Sequence, residues 1–444
     1  MHRVVLLLLL SMISAEALAN TAWRANSPHA VVQAAGDLMG AGGASVALSA
    51  ESNGESGFVG VTSSTDVGAF KGRELILSGS LAVSRGAGAA GLWVRADGPQ
   101  GRLMFEDSRS APVRFGDGAQ SREVRLYVPA EATGLKIGVT LSGAGQMEAT
   151  GLSLRSAPVT SDGVSAHDML DHAINIIQAN ALQADRIEWD TEKARLLTAE
   201  RKDLPAQAAY APLRTLLTAL GDRHSFLQSP RAASSNRATA VASQAVEARL
   251  IQDIGYLLIP GLRGTATEEA RAFTTRICKD IAQRAPGASA GWIVDLRSNT
   301  GGNMWPMING LRPLLGDGDI GAFRDRDGVS QPWRARLRDG CGIDLSNSPV
   351  AVLVGPRTAS SGEAVAVSFR ARPATRFFGR PTAGLATGNK SYKLPDGGSL
   401  VLTGVEFLDR AGGVYPRGVV PEEQVANDDE AFEAAAAWLR SRAR

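Results

Sequence analysis

Between residues 20 and 157 apolar positions recur at every second residue over short stretches. Leu135, Ile137, Val139 and Leu141 alternate with Lys136, Gly138 and Thr140, the period of a strand with one buried face. Similar runs fall at 74–83, 91–96, 102–105, 123–128 and 151–155, separated by turn clusters such as Ala96-Asp97-Gly98-Pro99. Many short strands divided by turn residues predict an all-β sandwich over 20–157. Trp93 falls within one of these strands and is expected in the core rather than as a sugar platform.

The period changes around 158–163. Leu170, Ile174, Ile177 and Ala181 share one helical face, and Leu213, Leu216, Leu217 and Leu220 share another, so 158–235 predicts a small helical segment. From 236 to 444 strands and helices alternate. The stretches 254–259, 291–296 and 349–354 are apolar and strand-like, and 267–283 is helical. That order predicts an α/β core whose functional residues sit beyond strand ends.

The first nineteen residues follow a different logic. Arg3, an apolar run over 4–13 and Ala17-Leu18-Ala19 have the order of a secretory signal peptide, with Asn20 as the expected mature start. The run is shorter than the ~20 residues that a spanning helix needs. Export, to a bacterial periplasm, is the expectation, without stable membrane insertion.

Charge and composition narrow the chemistry. A net charge of +2 over 444 residues gives no reason to expect nucleic acid as a partner. The only two cysteines, Cys278 and Cys341, either pair in an oxidising compartment or leave Cys278 as a buried thiol on a helix. The five histidines form no H-x-x-x-H or similar ligand cluster, so neither a metal nor another cofactor is expected. His167 and His172 read as ordinary residues of the helical segment.

Three segments carry chemistry. Val354-Gly355-Pro356-Arg357-Thr358-Ala359-Ser360-Ser361-Gly362-Glu363 runs from an apolar strand through a turn of small side chains into a helix. Such a turn presents a hydroxyl at a helix N-terminus, where free amides favour developing negative charge; a plain Ser N-cap with Glu363 as capping box has the same pattern. Small neighbours at Ala359, Ser361 and Gly362 leave room for a substrate carbonyl. Asp295-Leu296-Arg297-Ser298-Asn299-Thr300-Gly301-Gly302-Asn303 ends a strand in a glycine pair whose amides suit an oxyanion hole. Leu220-Gly221-Asp222-Arg223-His224-Ser225 ends the helical segment with a histidine able to act as a base.

In this order the three segments resemble the C-terminal processing (tail-specific) and tricorn-core serine peptidases, over roughly residues 164–425. The resemblance implies a crotonase-like α/β core acting on peptides or unfolded proteins. It implies Ser360 as nucleophile, with Gly301, Gly302 and the Ser361 amide as oxyanion donors. Where the processing enzymes carry a lysine base, Gly379-Arg380-Pro381-Thr382-Ala383-Gly384-Leu385 places leucine, and no PDZ-like segment stands between His224 and Asp295. Both features point to the tricorn-like branch, with His224 as base unless Lys390 or Lys393 reaches in. An acid orienting the imidazole is then expected from Glu406, Asp409 or Glu422. The N-terminal sandwich resembles the galactose-binding-like modules of some bacterial members. A non-catalytic ligand-binding relative fits the joint presence of the serine, the histidine and the glycine pair less well, while an esterase using the same site fits the same motifs, because acyl chemistry is common to both.

Overall fold

The computed structural model describes residues 23–442 apart from 29, 52–57, 100, 161–162, 236–240, 243–244, 265–266 and 335–341. The expected signal peptide at 1–19 lies outside the described residues, and so does Cys341. Cys278 is buried and disulfide-bonded. The chain is multidomain and sheet-rich, and it divides into two compact units, Met1–Thr160 and Ser161–Arg444.

The first unit is antiparallel throughout. One sheet runs Arg24–Ala25, Val59–Thr65, Gly134–Ser142, Ala89–Gly98, Gly101–Asp107, with Val113–Arg114 also on Ala89–Gly98; the other runs Ala30–Gly36, Ala44–Ala50, Gly145–Ala157, Glu74–Gly86, Gln120–Tyr127. Alternation sets the inward faces: Leu92, Val94 and Ala96 are fully buried on one sheet, and Val46 and Leu48 on the other. Trp93 is not in the core, contrary to expectation: it alternates with buried Leu92 and Val94, so it falls on the outer face, half-buried and stacked on Phe105 with ring centroids 6.1 Å apart. The strands Ala30–Gly36, Ala44–Ala50 and Val59–Thr65 were not expected from the pattern. Ala, Ser and Gly are common in them and weaken the apolar signal, although Ala44–Ala50 does bury Ala44, Val46, Leu48 and Ala50 in alternation.

The second unit joins the helical segment and the α/β elements in one body. Its main sheet runs Glu247–Ile251, Ile254–Leu258, Gly291–Asp295, Val350–Val354, Thr375–Gly379, Glu423–Gln424. All pairs are parallel except the first. Both faces are covered. On one, Trp292, Val294, Val350 and Val352 pack with the helices Thr267–Arg284, Met304–Gly310 and Ser361–Phe369. On the other, Ile293, Ala351, Leu353 and Phe378 pack with the helix Asp428–Arg442. Burial on both faces is why Val350–Val354 is apolar at every position rather than alternating.

Register brings the motifs together. Asp295 pairs with Leu353 and Val354 with Gly379, so three adjacent parallel strands end side by side. The glycine turn, the Ser360 turn and the 380–385 segment leave from that one edge. A second sheet, not foreseen in the sequence, runs Phe226–Gln228, Ser399–Leu408, Asp319–Asp325, Ser330–Arg334, with Thr387–Lys393 also on Ser399–Leu408.

Candidate active site

The turn after Val350–Val354 is tied down from several sides. Thr358 is fully buried, and its Oγ1 donates to the Leu296 carbonyl at 2.9 Å while accepting from the Gly355 amide at 3.1 Å. The Ala359 amide donates to the Asn299 carbonyl at 3.0 Å. These bonds deliver Ser360 with φ 54° and ψ −121°, a conformation that costs a non-glycine residue roughly 1–3 kcal/mol. Ser360 is the N-cap of the helix with Glu363 completing a capping box, as the pattern allowed, but an ordinary serine N-cap is extended, and the strained backbone sets Ser360 apart from one.

Glu363 holds the strained turn. Its carboxylate is fully buried and accepts from the Ser360 amide at 3.0 Å, Thr382 Oγ1 at 2.5 Å, and the Gly384 and Leu385 amides at 3.0 and 2.8 Å. Burial pushes its pKa up, and these hydrogen bonds pull it back down. Gly362 serves packing rather than substrate room: a Cβ there would stand 2.4 Å from the Asn299 carbonyl oxygen.

The glycine turn lies against this elbow. Asp295 is buried and anchored by Arg297, whose Nη2 lies 2.6 Å from Oδ2, and by the Tyr256 hydroxyl at 2.8 Å. The acid and base of that motif are therefore structural. Gly301 spends its amide on Asn299 Oδ1 at 3.0 Å, which removes it from the expected oxyanion donors. The Gly302 and Ser361 amides have no intramolecular acceptor among the described residues. Gly302 has φ 116°, and a Cβ there would stand 2.0 Å from the Leu262 carbonyl oxygen, so only glycine fits. The Ser361 hydroxyl donates to the Gly302 carbonyl at 2.5 Å and links the two donors.

His224 arrives from the helical segment. The helix Tyr210–Leu220 stops at Gly221 in the left-handed region. Asp222 Oδ1 then accepts from the His224 and Ser225 amides at 2.9 and 2.8 Å, while Oδ2 accepts from the Ser225 hydroxyl at 2.6 Å. The next strand, Phe226–Gln228, pairs with Ser399–Leu408. The residue is 9% exposed, with its ring Nδ1 2.7 Å from Thr387 Oγ1. Asn389 Nδ2 donates to the His224 carbonyl at 2.9 Å. Burial lowers the imidazole pKa, opposed by the nearby Asp222 charge.

None of the three expected acids meets this ring. Glu406 pairs with Arg324 at 2.7 Å, although its backbone lies opposite Thr387. Asp409 accepts from the Tyr415 hydroxyl and the Ala411 and Gly413 amides. Glu422 pairs with Arg370 and accepts from the Phe377 amide. The ring's neighbour is Thr387, which the sequence motifs did not flag. Leu385 stands where lysine was missing, and its amide belongs to Glu363. Lys390 is exposed beside the Tyr392 ring, and the Lys393 carbonyl lies 3.4 Å from His172 Nε2.

A cleft of about 530 Å³ opens over this arrangement. Gly302, Ser360, Ser361, Thr387 and Asn389 line it, so its walls include two of the residues that bond His224, Thr387 and Asn389. Among the described residues no group of His, Cys, Asp and Glu is arranged to hold a metal ion.

Residues 253–425 match Peptidase family S41. The nisin-resistance protein of Lactococcus lactis subsp. lactis is 28% identical over 275 residues, covering 59% of this chain and 82% of that one. The chloroplastic C-terminal processing peptidase of Tetradesmus obliquus is 28% identical over 175 residues, 39% of this chain and 35% of its own. A solved lipoprotein from Streptococcus agalactiae covers 64% of this chain and 100% of its own, at 23% identity and a TM-score of 0.55, a likeness of fold. The segment that delivers both the glycine turn and Ser360 is thus a peptidase family S41 domain.

Proposed function

We propose that this chain is an exported peptidase that cleaves peptides or unfolded protein segments with Ser360 as nucleophile and His224 as general base. The observation that carries the reading is Ser360 itself, a strained non-glycine residue at a helix N-terminus on the wall of a cleft. Two free amides, from Gly302 and Ser361, stand beside it as oxyanion donors. His224 takes the Ser360 proton as Oγ attacks the scissile carbonyl. The imidazolium then protonates the leaving amine, and water repeats the cycle on the acyl-enzyme. Export rests on the first nineteen residues, and among the described residues no helix is long and apolar enough to cross a membrane. The same reading takes the first unit as a galactose-binding-like sandwich and the second as a crotonase-like core. The two-sheet antiparallel pairing and the parallel sheet with helices on both faces support it.

A fluorophosphonate probe tests the nucleophile. Labelling at Ser360, with hydrolysis of unstructured peptides, is expected. Turnover of esters alone points to an esterase, and neither labelling nor turnover points to a binding relative. Labelling at Ser361 would place the nucleophile one residue later.

Thr387 fixes the imidazole. For Nε2 to accept a proton, Nδ1 must carry one, and Thr387 Oγ1 is the acceptor that holds it. Thr387→Val should lower kcat on the order of 10- to 100-fold. It should also move the acidic limb of the kcat profile to lower pH, because the imidazolium loses an acceptor. Thr387→Ser should restore both; a Val variant with an unmoved pH profile would make the contact structural only.

A further inference from the structure

One wall of the cleft is apolar and aromatic, and no step of the proposed chemistry uses it. Met304, Trp305, Phe323, Val405 and Phe407 form it. It begins two residues after Gly302, where Asn303 caps the helix Met304–Gly310 by accepting from the Trp305 amide at 3.2 Å. That cap fixes where Trp305 stands relative to the oxyanion donors. The Trp305 and Phe323 rings lie edge to face at 6.3 Å, Phe323 meets Trp333 at 4.9 Å, and Trp333 meets Phe407 at 5.2 Å. The ladder thus runs from a fully buried indole, Trp333, to Trp305, which is 38% exposed. A rigid ring cluster that leaves its outermost indole open to water beside a nucleophile gains most when an apolar group covers it. Asp325 follows Phe323 on the strand Asp319–Asp325, and with Arg326, Asp327 and Lys390 it supplies the charged groups of the cleft.

We infer that this wall is a substrate subsite that selects an aromatic or large aliphatic side chain near the scissile bond, with Trp305 as its specificity-determining residue. The inference builds on the peptidase reading of the same cleft. Its test separates the two by measuring binding without turnover. Ser360→Ala protein is titrated with neutral Gly/Ser hexapeptides carrying a single Phe, Leu, Ala or Asp scanned through the six positions. At one position Phe and Leu should bind about tenfold more tightly than Ala, and Asp no better than Ala. Adding Trp305→Ala should erase that preference, and Trp305→Phe should retain most of it. Equal affinities across the series, or a preference unchanged in Trp305→Ala, would overturn the subsite. A preserved preference in a wild type that turns over neither peptide nor ester would instead overturn the Ser-His reading and leave the subsite standing.

Discussion

Ser360→Ala and His224→Ala should each lower kcat by on the order of 10⁴ to 10⁶, and the double variant should be little worse than either, because nucleophile and base act as a unit. On the proposed mechanism the residual activity is that of the Gly302 and Ser361 amides and of binding. In the wild type, kcat should rise with pH through the imidazole pKa and then level. Because burial holds that pKa below the usual value of about 6.5, the plateau should be reached at a more acidic pH than an ordinary histidine allows. The sign follows from the base: only neutral imidazole accepts the Ser360 proton, and burial favours the neutral form. A lysine base would place the limb at much higher pH unless deeply desolvated, and Lys390 and Lys393 are both exposed. Lys390→Ala and Lys393→Ala should therefore each cost about tenfold or less. A dead lysine variant alongside an active His224→Ala would reverse the assignment of the base.

Much of this site was legible because its parts sit at strand and helix ends. The run Val350–Val354 followed by Gly355-Pro356 announces a buried parallel strand and the turn that presents Ser360, and Gly221 announces the helix end before His224. What stayed hidden depends on pairing between distant segments. Thr387 is an ordinary threonine until the strand Thr387–Lys393 joins Ser399–Leu408 and brings it to the imidazole from 163 positions away. Glu406 illustrates the converse. Its backbone lies opposite Thr387, yet its carboxylate turns to Arg324. Gly301 fits an oxyanion pattern by composition, and only the side chain of Asn299 shows that its amide is already spent. The second sheet was missed for a related reason: strands such as Thr387–Lys393, with Asn389, Lys390 and Ser391 in the middle, are exposed along much of their length and carry little periodic signal.

Glu363 is where the largest loss outside the Ser-His pair is expected. Glu363→Ala removes the acceptor for four donors at once, from Ser360, Thr382, Gly384 and Leu385. Leaving several buried donors unmet costs about 1–3 kcal/mol each, so global stability should fall by about 3 kcal/mol or more. The effect on chemistry should be separate. With its amide released, Ser360 has nothing at that point to hold its strained backbone, and the turn relaxes toward an ordinary helix start. Loss of kcat by on the order of 10³ is expected even at temperatures where the variant remains folded, since misplacing a nucleophile by about 1 Å already costs about 10²-fold. Glu363→Gln distinguishes shape from charge. Each carboxylate oxygen accepts at least one backbone amide, so whichever way a glutamine side chain turns, its NH₂ faces an N–H donor. Gln should therefore resemble Ala in both unfolding midpoint and fluorophosphonate labelling rate at Ser360. Measuring the two together decides the matter. If Gln keeps the wild-type labelling rate while Ala loses it, the side chain acts by filling space. If both label normally despite lowered stability, the strained turn does not depend on this carboxylate, and its support must come from Thr358 and Asn299 alone.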